Sequence, residues 1–169
     1  MYKFILITLI TIISFINLSY AEEKIAFIDI DKIINESEFG KKAYAKIDKD
    51  YQNERNKLVN KEKELIKKEK DILKQKNILS EEELKKKVNA LKKEVNDFQN
   101  KRKLTNEKFN QIKLEKTNYM VKNLNEILSK YSNDNDISLI IQKKYIVIAK
   151  SGLDITEKVL EIFNKEVKK

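Results

Sequence analysis

Between Gly40 and Gly152 the chain runs for 111 residues without a glycine or a proline. Nothing in that tract stops a helix. Apolar residues recur through it at helical spacing, but the stripe they make is thin, because 37% of the chain is charged. A stripe so narrow cannot be the core of a globular domain. The length of the tract must therefore serve reach or surface.

The stripe itself shows how the tract is organised. Tyr44, Tyr51, Leu58, Leu65, Ile72 and Leu79 fall seven residues apart, with Ile47, Val59, Ile66 and Leu73 beside them. A coiled-coil seam needs two apolar positions per heptad. Here Ile47 fills the second position once, and Glu54, Lys61, Lys68 and Gln75 fill it thereafter. Beyond its root the seam is half polar. Ser80-Glu81-Glu82-Glu83 then carries the S-x-x-E pattern of a capping box, which starts a new helix by satisfying free N-terminal amides. The first arm is therefore predicted to turn near residues 77–80. A second arm repeats a 4-3 spacing through Leu84, Val88, Leu91, Val95 and Phe98, weakens at Arg102 and Thr105, and resumes at Phe109, Ile112 and Tyr119. The polar run Ser132-Asn133-Asp134-Asn135-Asp136 ends it. Residues 39–133 thus read as one antiparallel helical hairpin, with arms of about 60 Å or more at 1.5 Å per residue.

The flanks read as a small body. Lys24-Ile25-Ala26-Phe27-Ile28-Asp29-Ile30 is a β-branched strand, Asp31 opens a short helical turn, and Ser37 stands where an N-cap for the first arm is needed. After the second arm, Leu139-Ile140-Ile141 and Tyr145-Ile146-Val147-Ile148 are expected to form a β-hairpin. Asp154 can cap a last amphipathic helix through Ile155, Val159, Leu160, Phe163 and Val167. Neither the lone strand nor an isolated hairpin is stable alone, so the strands should share a sheet. The fold class is α+β and predominantly helical: a β-body from residues 22–38 and 134–169, with a long antiparallel coiled-coil hairpin projecting as a tentacle.

Residues 1–21 read as a secretory signal peptide. Lys3 supplies a positive start, Phe4 to Leu18 form an apolar run of 15, and Ser19-Tyr20-Ala21 offers small residues at the cleavage positions. The run is short against the ~20 residues that span a bilayer. A membrane-tethered structural stalk is the alternative if that segment stays on. No cysteine is present, which excludes a disulfide scaffold. No histidine is present either, which removes the usual proton shuttle and the commonest metal ligand. With two glycines no phosphate-cradling loop can be built. The many carboxylates are those of solvated, Lys-paired helices. No catalytic residue, metal or cofactor is expected.

Charge is concentrated in the arms. Residues 57–116 carry 19 basic and 11 acidic side chains, a net of +8, while residues 22–56 carry a net of −2 and residues 117–169 a net of +2. Lys67-Lys68, Lys85-Lys86-Lys87 and Lys101-Arg102-Lys103 form clusters that attract anionic partners. A basic coiled coil that binds nucleic acid or other polyanions without sequence preference is the rival reading. It lacks base-reading motifs, and a signal peptide sends it to the wrong compartment.

The opening Lys24-Ile25-Ala26-Phe27-Ile28-Asp29 with Gly40-Lys41-Lys42, the charged tract broken at Leu79-Ser80-Glu81-Glu82, and the closing Asp154-Ile155-Thr156 with Val159-Leu160 together resemble the Skp (OmpH-like) family of periplasmic chaperones. The resemblance spans the mature chain in order. It implies a homotrimer of small bodies whose hairpins surround a cavity for unfolded outer-membrane proteins. It also implies a periplasmic location and leaves room for peripheral contact with anionic lipid. On that footing Leu58, Leu65, Ile72, Leu84, Val88, Leu91 and Val95 are the client-binding stripe, or else pair across the hairpin. Lys67, Lys68, Lys85, Lys86, Lys87, Lys101, Arg102 and Lys103 are the contacts for anionic partners. Ile25, Phe27, Leu139, Ile141, Ile146 and Ile148 are the oligomer-forming surface of the body.

Overall fold

The computed structural model describes residues 23–168; the signal-peptide reading of residues 1–21 lies outside them. Strand β1 (Lys24–Ile28) leads into a short helix α1 (Ile30–Glu36). Asp29 starts that helix by accepting the Lys32 N–H at 2.9 Å. Ser37 both ends α1 and begins α2 (Glu38–Gln75): its own N–H donates to the Ile33 carbonyl at 3.0 Å, and its Oγ accepts the Gly40 N–H at 3.1 Å. At Gly40 the two helices nearly touch. A Cβ there would lie 1.8 Å from the Ile34 carbonyl oxygen, so only glycine lets α2 leave α1 at this angle.

The 38-residue α2 stops at Gln75, whose carbonyl takes the N–H groups of Ile78 and Leu79 in a tight turn. Ser80 and Glu83 then form the full capping box of α3 (Glu81–Asp134), a helix of 54 residues. At 1.5 Å per residue the two helices run about 57 and 81 Å. The longer one reaches back past the root of α2 into the body. It ends where Asp136 takes a left-handed backbone (φ 54°), a conformation that Asp tolerates better than most side chains.

Strand β2 (Ile137–Gln142) pairs in parallel with β1, placing Ile25 beside Leu139, Ala26 beside Ile140 and Phe27 beside Ile141. Parallel neighbours need a long crossover, and here the whole helical hairpin is that crossover. On the other edge of β1, Asp154 makes a single bridge to Phe27, and the Ile155 N–H donates to the Phe27 carbonyl at 3.0 Å. Helix α4 (Thr156–Glu166) follows. Asp154 Oδ1 accepts the N–H of its first residue at 2.9 Å, and Thr156 Oγ1 accepts the Asp29 N–H at 2.9 Å, tying the end of the chain to its beginning.

The hairpin expected at residues 139–148 is not present. After β2 the chain makes a 3-10 turn at Lys143–Tyr145 and runs on unpaired, with Val147 and Ile148 in solvent. Gln142-Lys143-Lys144 holds none of the Gly, Asn or Asp residues that close a tight strand reversal. β2 finds its partner in β1 instead.

The core lies where these pieces converge. Ala26 and Ile28 of β1, Ile33 and Ile34 of α1, Met120, Leu124 and Ile127 of α3, and Ile155, Val159, Phe163 and Val167 at the C-terminal end form one buried cluster. Ile33, Met120, Val159 and Phe163 have no exposed surface. This body fixes the base from which both arms project.

Candidate functional site

The arms are joined at their root by aromatic and hydroxyl contacts. Phe39 packs on Tyr119 and Tyr51 on Phe109, each pair with ring centroids 5.3 Å apart. Tyr44 Oη lies 2.8 Å from Thr117 Oγ1, and Tyr51 Oη donates to Asn106 Oδ1 at 3.1 Å. Beside this root a cleft of about 850 Å³ opens among Phe39, Ile47, Phe109, Ile112 and Val167, rimmed by Lys42, Lys46, Lys116 and Lys168 together with Glu38 and Asp50.

Farther out, Leu58 and Leu65 of α2 and Phe98 of α3 are buried against one another, with Leu91 and Val95 packed on them. The seven residues of the sequence stripe are all seam residues: Leu58 and Leu65 are buried, and Ile72, Leu84, Val88, Leu91 and Val95 are half-buried. The seam has two unlike flanks. Relative to Leu58, Leu65 and Ile72, helical geometry puts Lys61, Lys68 and Gln75 on one side and Val59, Ile66 and Leu73 on the other.

On the first flank Lys61, Lys68 and Gln75 find charged partners across the hairpin, while Glu54 pairs with Lys57 of its own helix. Glu94 of α3 takes Lys68 Nζ on both carboxylate oxygens, at 2.9 and 2.8 Å, and Lys61 Nζ at 3.2 Å. Glu64 holds the same two lysines at 2.9 and 3.1 Å. Nearer the tip, Lys87 Nζ donates to Gln75 Oε1 at 2.6 Å. Lys68, then Lys61, hold the Glu94 carboxyl below its ordinary 4.5, and Lys61, then Lys68, do the same for Glu64. Reciprocally, Glu64 and Glu94 raise Lys61 above its usual 10.5, and Glu94 and Glu64 raise Lys68. The half-polar seam is an ion-bridged seam on this side.

On the second flank no such cover exists among the described residues. A cleft of about 680 Å³ runs between the arms, with Leu65, Ile66, Ile72 and Leu73 from α2 and Val88, Leu91, Val95 and Phe98 from α3 along it. Glu62 and Glu69 rim it on the α2 side, and Lys92 and Arg102 on the α3 side. Val59, Ile66 and Leu73 are 39%, 46% and 63% exposed. The apolar surface open to a partner is therefore led by Ile66 and Leu73, which the heptad count sets next to the stripe rather than in it. Their adjacency to Leu65 and Ile72, a double apolar step every heptad, is the sequence signal for it.

The basic positions divide in the same way. Lys67, Lys85, Lys86, Lys101, Arg102 and Lys103 are exposed. Half-buried Lys68 and exposed Lys87 are engaged across the hairpin by Glu94 and Gln75. In the body, Ile25 and Leu139 are about half exposed and Ile148 is nearly free, whereas Ile141 and Ile146 are half-buried and Phe27 is buried. Tyr145 and Val147, adjoining Ile148, add to this exposed patch. Among the described residues no three His, Cys, Asp or Glu side chains gather as a metal site would require, and no helix is long and apolar enough to cross a membrane.

Comparison with known proteins bears on this architecture directly. The sequence profile of the family described as outer membrane protein (OmpH-like) matches residues 24–163. No curated protein matches the chain in sequence. Among solved structures, the fold is similar to a crystal structure from Caulobacter crescentus assigned as an OmpH-like outer membrane chaperone, with a TM-score of 0.79, 17% identity and 88% of each chain covered.

Proposed function

The chain belongs to the OmpH-like outer membrane protein family, and from that membership we propose that it is a periplasmic holdase chaperone, which binds unfolded outer-membrane proteins between helical arms and keeps them from aggregating before insertion. The observation that carries this reading is the apolar cleft between the arms, left uncovered by any described part of the chain. An exposed apolar surface on a reach of about 57 Å suits a binder of unfolded chains, which present apolar groups without a fixed shape.

Self-association completes the device. Ile25 and Leu139 on the two-stranded sheet, and Tyr145, Val147 and Ile148 in the segment that follows it, leave apolar surface exposed, and a two-stranded sheet is marginal without further strands. A homotrimer formed through this body would set three hairpins around one cavity. The signal-peptide reading of residues 1–21 supplies the route to the periplasm. The net of +8 on residues 57–116 would draw anionic segments of a client toward the arms.

The test is to dilute a urea-denatured outer-membrane barrel protein into buffer with and without the purified chain and to size the products. A trimer that keeps the barrel protein soluble in a stoichiometric complex is expected, with affinity falling as salt rises. A monomer that leaves the barrel protein to aggregate refutes the reading. Affinity that is indifferent to salt removes its electrostatic part.

A further inference from the structure

The two flanks of the seam differ in what they offer an incoming chain. We propose that the cleft on the Ile66 flank is the client contact, holding a short extended segment with every second side chain apolar, and that the Glu94 flank faces away from the client. This inference rests on the chaperone reading and assigns its contact to one face of each arm.

Length fits an extended segment. From Glu62 to Leu73 the cleft follows α2 for about 17 Å, which is the length of roughly five residues of β-strand at about 3.3 Å each. About three alternate side chains of such a segment point one way. They would enter between Ile66 and Leu73 on one arm and Val88 and Val95 on the other.

The rims decide the chemistry of the occupant. Glu62 and Glu69 make one rim acidic, while Lys92 and Arg102 make the other basic. An anionic lipid or a nucleic acid lying along the cleft would meet carboxylates on one whole side. A polypeptide whose outward side chains mix both signs meets a partner on either. Strands of membrane barrels alternate apolar and polar residues with this period.

The opposite flank is not continuous: its two smaller clefts, of about 300 and 270 Å³, meet at Glu94, where the Lys61–Glu94–Lys68 bridge stands between them. There Lys61, Lys68, Glu64 and Glu94 already satisfy one another, and an apolar segment inserted among them would have to separate charges without replacing them.

Because the chain has no cysteine, one introduced thiol reports one place. Ile66→Cys and Leu73→Cys label the cleft, and Lys57→Cys and Lys101→Cys label the other flank. Each carries an environment-sensitive fluorophore and is titrated with a urea-denatured outer-membrane barrel protein. The expected result is a blue shift and at least about threefold protection from an aqueous quencher at positions 66 and 73, with neither change at 57 and 101. In parallel, Ile66→Asp should weaken capture of the barrel protein about tenfold or more, because it sets a charge in the apolar cleft; Lys57→Gln should stay within about twofold. Equal shielding on both flanks, or shielding at 57 and 101 alone, overturns the assignment while the chaperone reading stands. Shielding at 66 and 73 that grows with the chain's own concentration, or that anionic phospholipid vesicles produce and the barrel protein does not, overturns it too. If the unlabelled chain fails to keep the barrel protein soluble, the chaperone reading falls and this assignment falls with it.

Discussion

The body and the arms are built from the same alphabet but held together by different means. In the body four elements and the C-terminal residues converge, and Phe163, Val159, Met120 and Ile33 are wholly enclosed. In the arms two helices meet along one line, and the best-buried apolar residues, Leu65, Leu58, Phe109 and Phe98, keep 6–9% of their surface exposed. Burial in the round specifies one packing to a fraction of an ångström. Burial along a line leaves each heptad to hold itself. The lesson is a division of labour, with a rigid base that sets where the arms point and a seam that can yield locally without unfolding the base.

The largest break in that contrast comes from the body. Phe163→Ala removes an enclosed ring and should cost about 3–5 kcal/mol, and Gly40→Ala forces a methyl into the Ile34 carbonyl and should cost about 3 kcal/mol. Both should lower the denaturant midpoint of the whole molecule. If Phe163→Ala destabilised only α4, the body would not be one cooperative unit.

In the arms the same kind of truncation should stay local. Leu65→Ala is expected to cost about 2 kcal/mol, near the low end for buried leucines because the site is open on one flank. Amide exchange should quicken around residues 58–72 and 91–98 while β1 and α4 keep their protection. Acceleration throughout the body would show that arm and base unfold together. Ser80→Ala, which removes the capping box, should cost about 1 kcal/mol and fray only the first turn of α3 and the tip.

Which of these features the sequence exposes depends on how far away the partner lies. Ser37 and Ser80 are legible as caps because each bonds an amide three residues on. The heptad stripe is legible because its period belongs to the helix itself. By contrast Glu54, Lys61, Lys68 and Gln75 read as weakness in the seam, since Glu94, the partner that makes two of them a bridge, stands 33 and 26 residues away. Residues 145–148 read as a strand for a similar reason: apolar pattern shows that a segment can pair but not with what, and β2 pairs with a strand more than 100 residues upstream. Which side of the stripe is open also stays hidden, because Ile66 and Lys68 flank it at equally helical spacing and only the rotation of one arm against the other decides.

The smallest expected effect lies in the ion cluster, and it separates the two regions by pH. The carboxyls of Glu94 and Glu64 are held below 4.5 by Lys68 and Lys61, so the folded arm binds fewer protons than the unfolded one across that window. Their contribution is present above pH 4.5 and is lost as pH falls through the lower folded value. Lys61 and Lys68 are raised above 10.5, so their contribution is present below pH 10.5 and is lost as pH rises through the raised value. All four groups are exposed to water, which keeps the effect small and sensitive to salt. Amide exchange in the seam, normalised for the intrinsic pH dependence of exchange, should therefore quicken below pH 4.5 while Val159 and Phe163 remain protected. Glu94→Gln should shrink that acid response without abolishing it, because Glu64 still holds both lysines. An undiminished response in Glu94→Gln would place the acid sensitivity in other carboxylates and remove the Glu94 bridge from what holds the arms together.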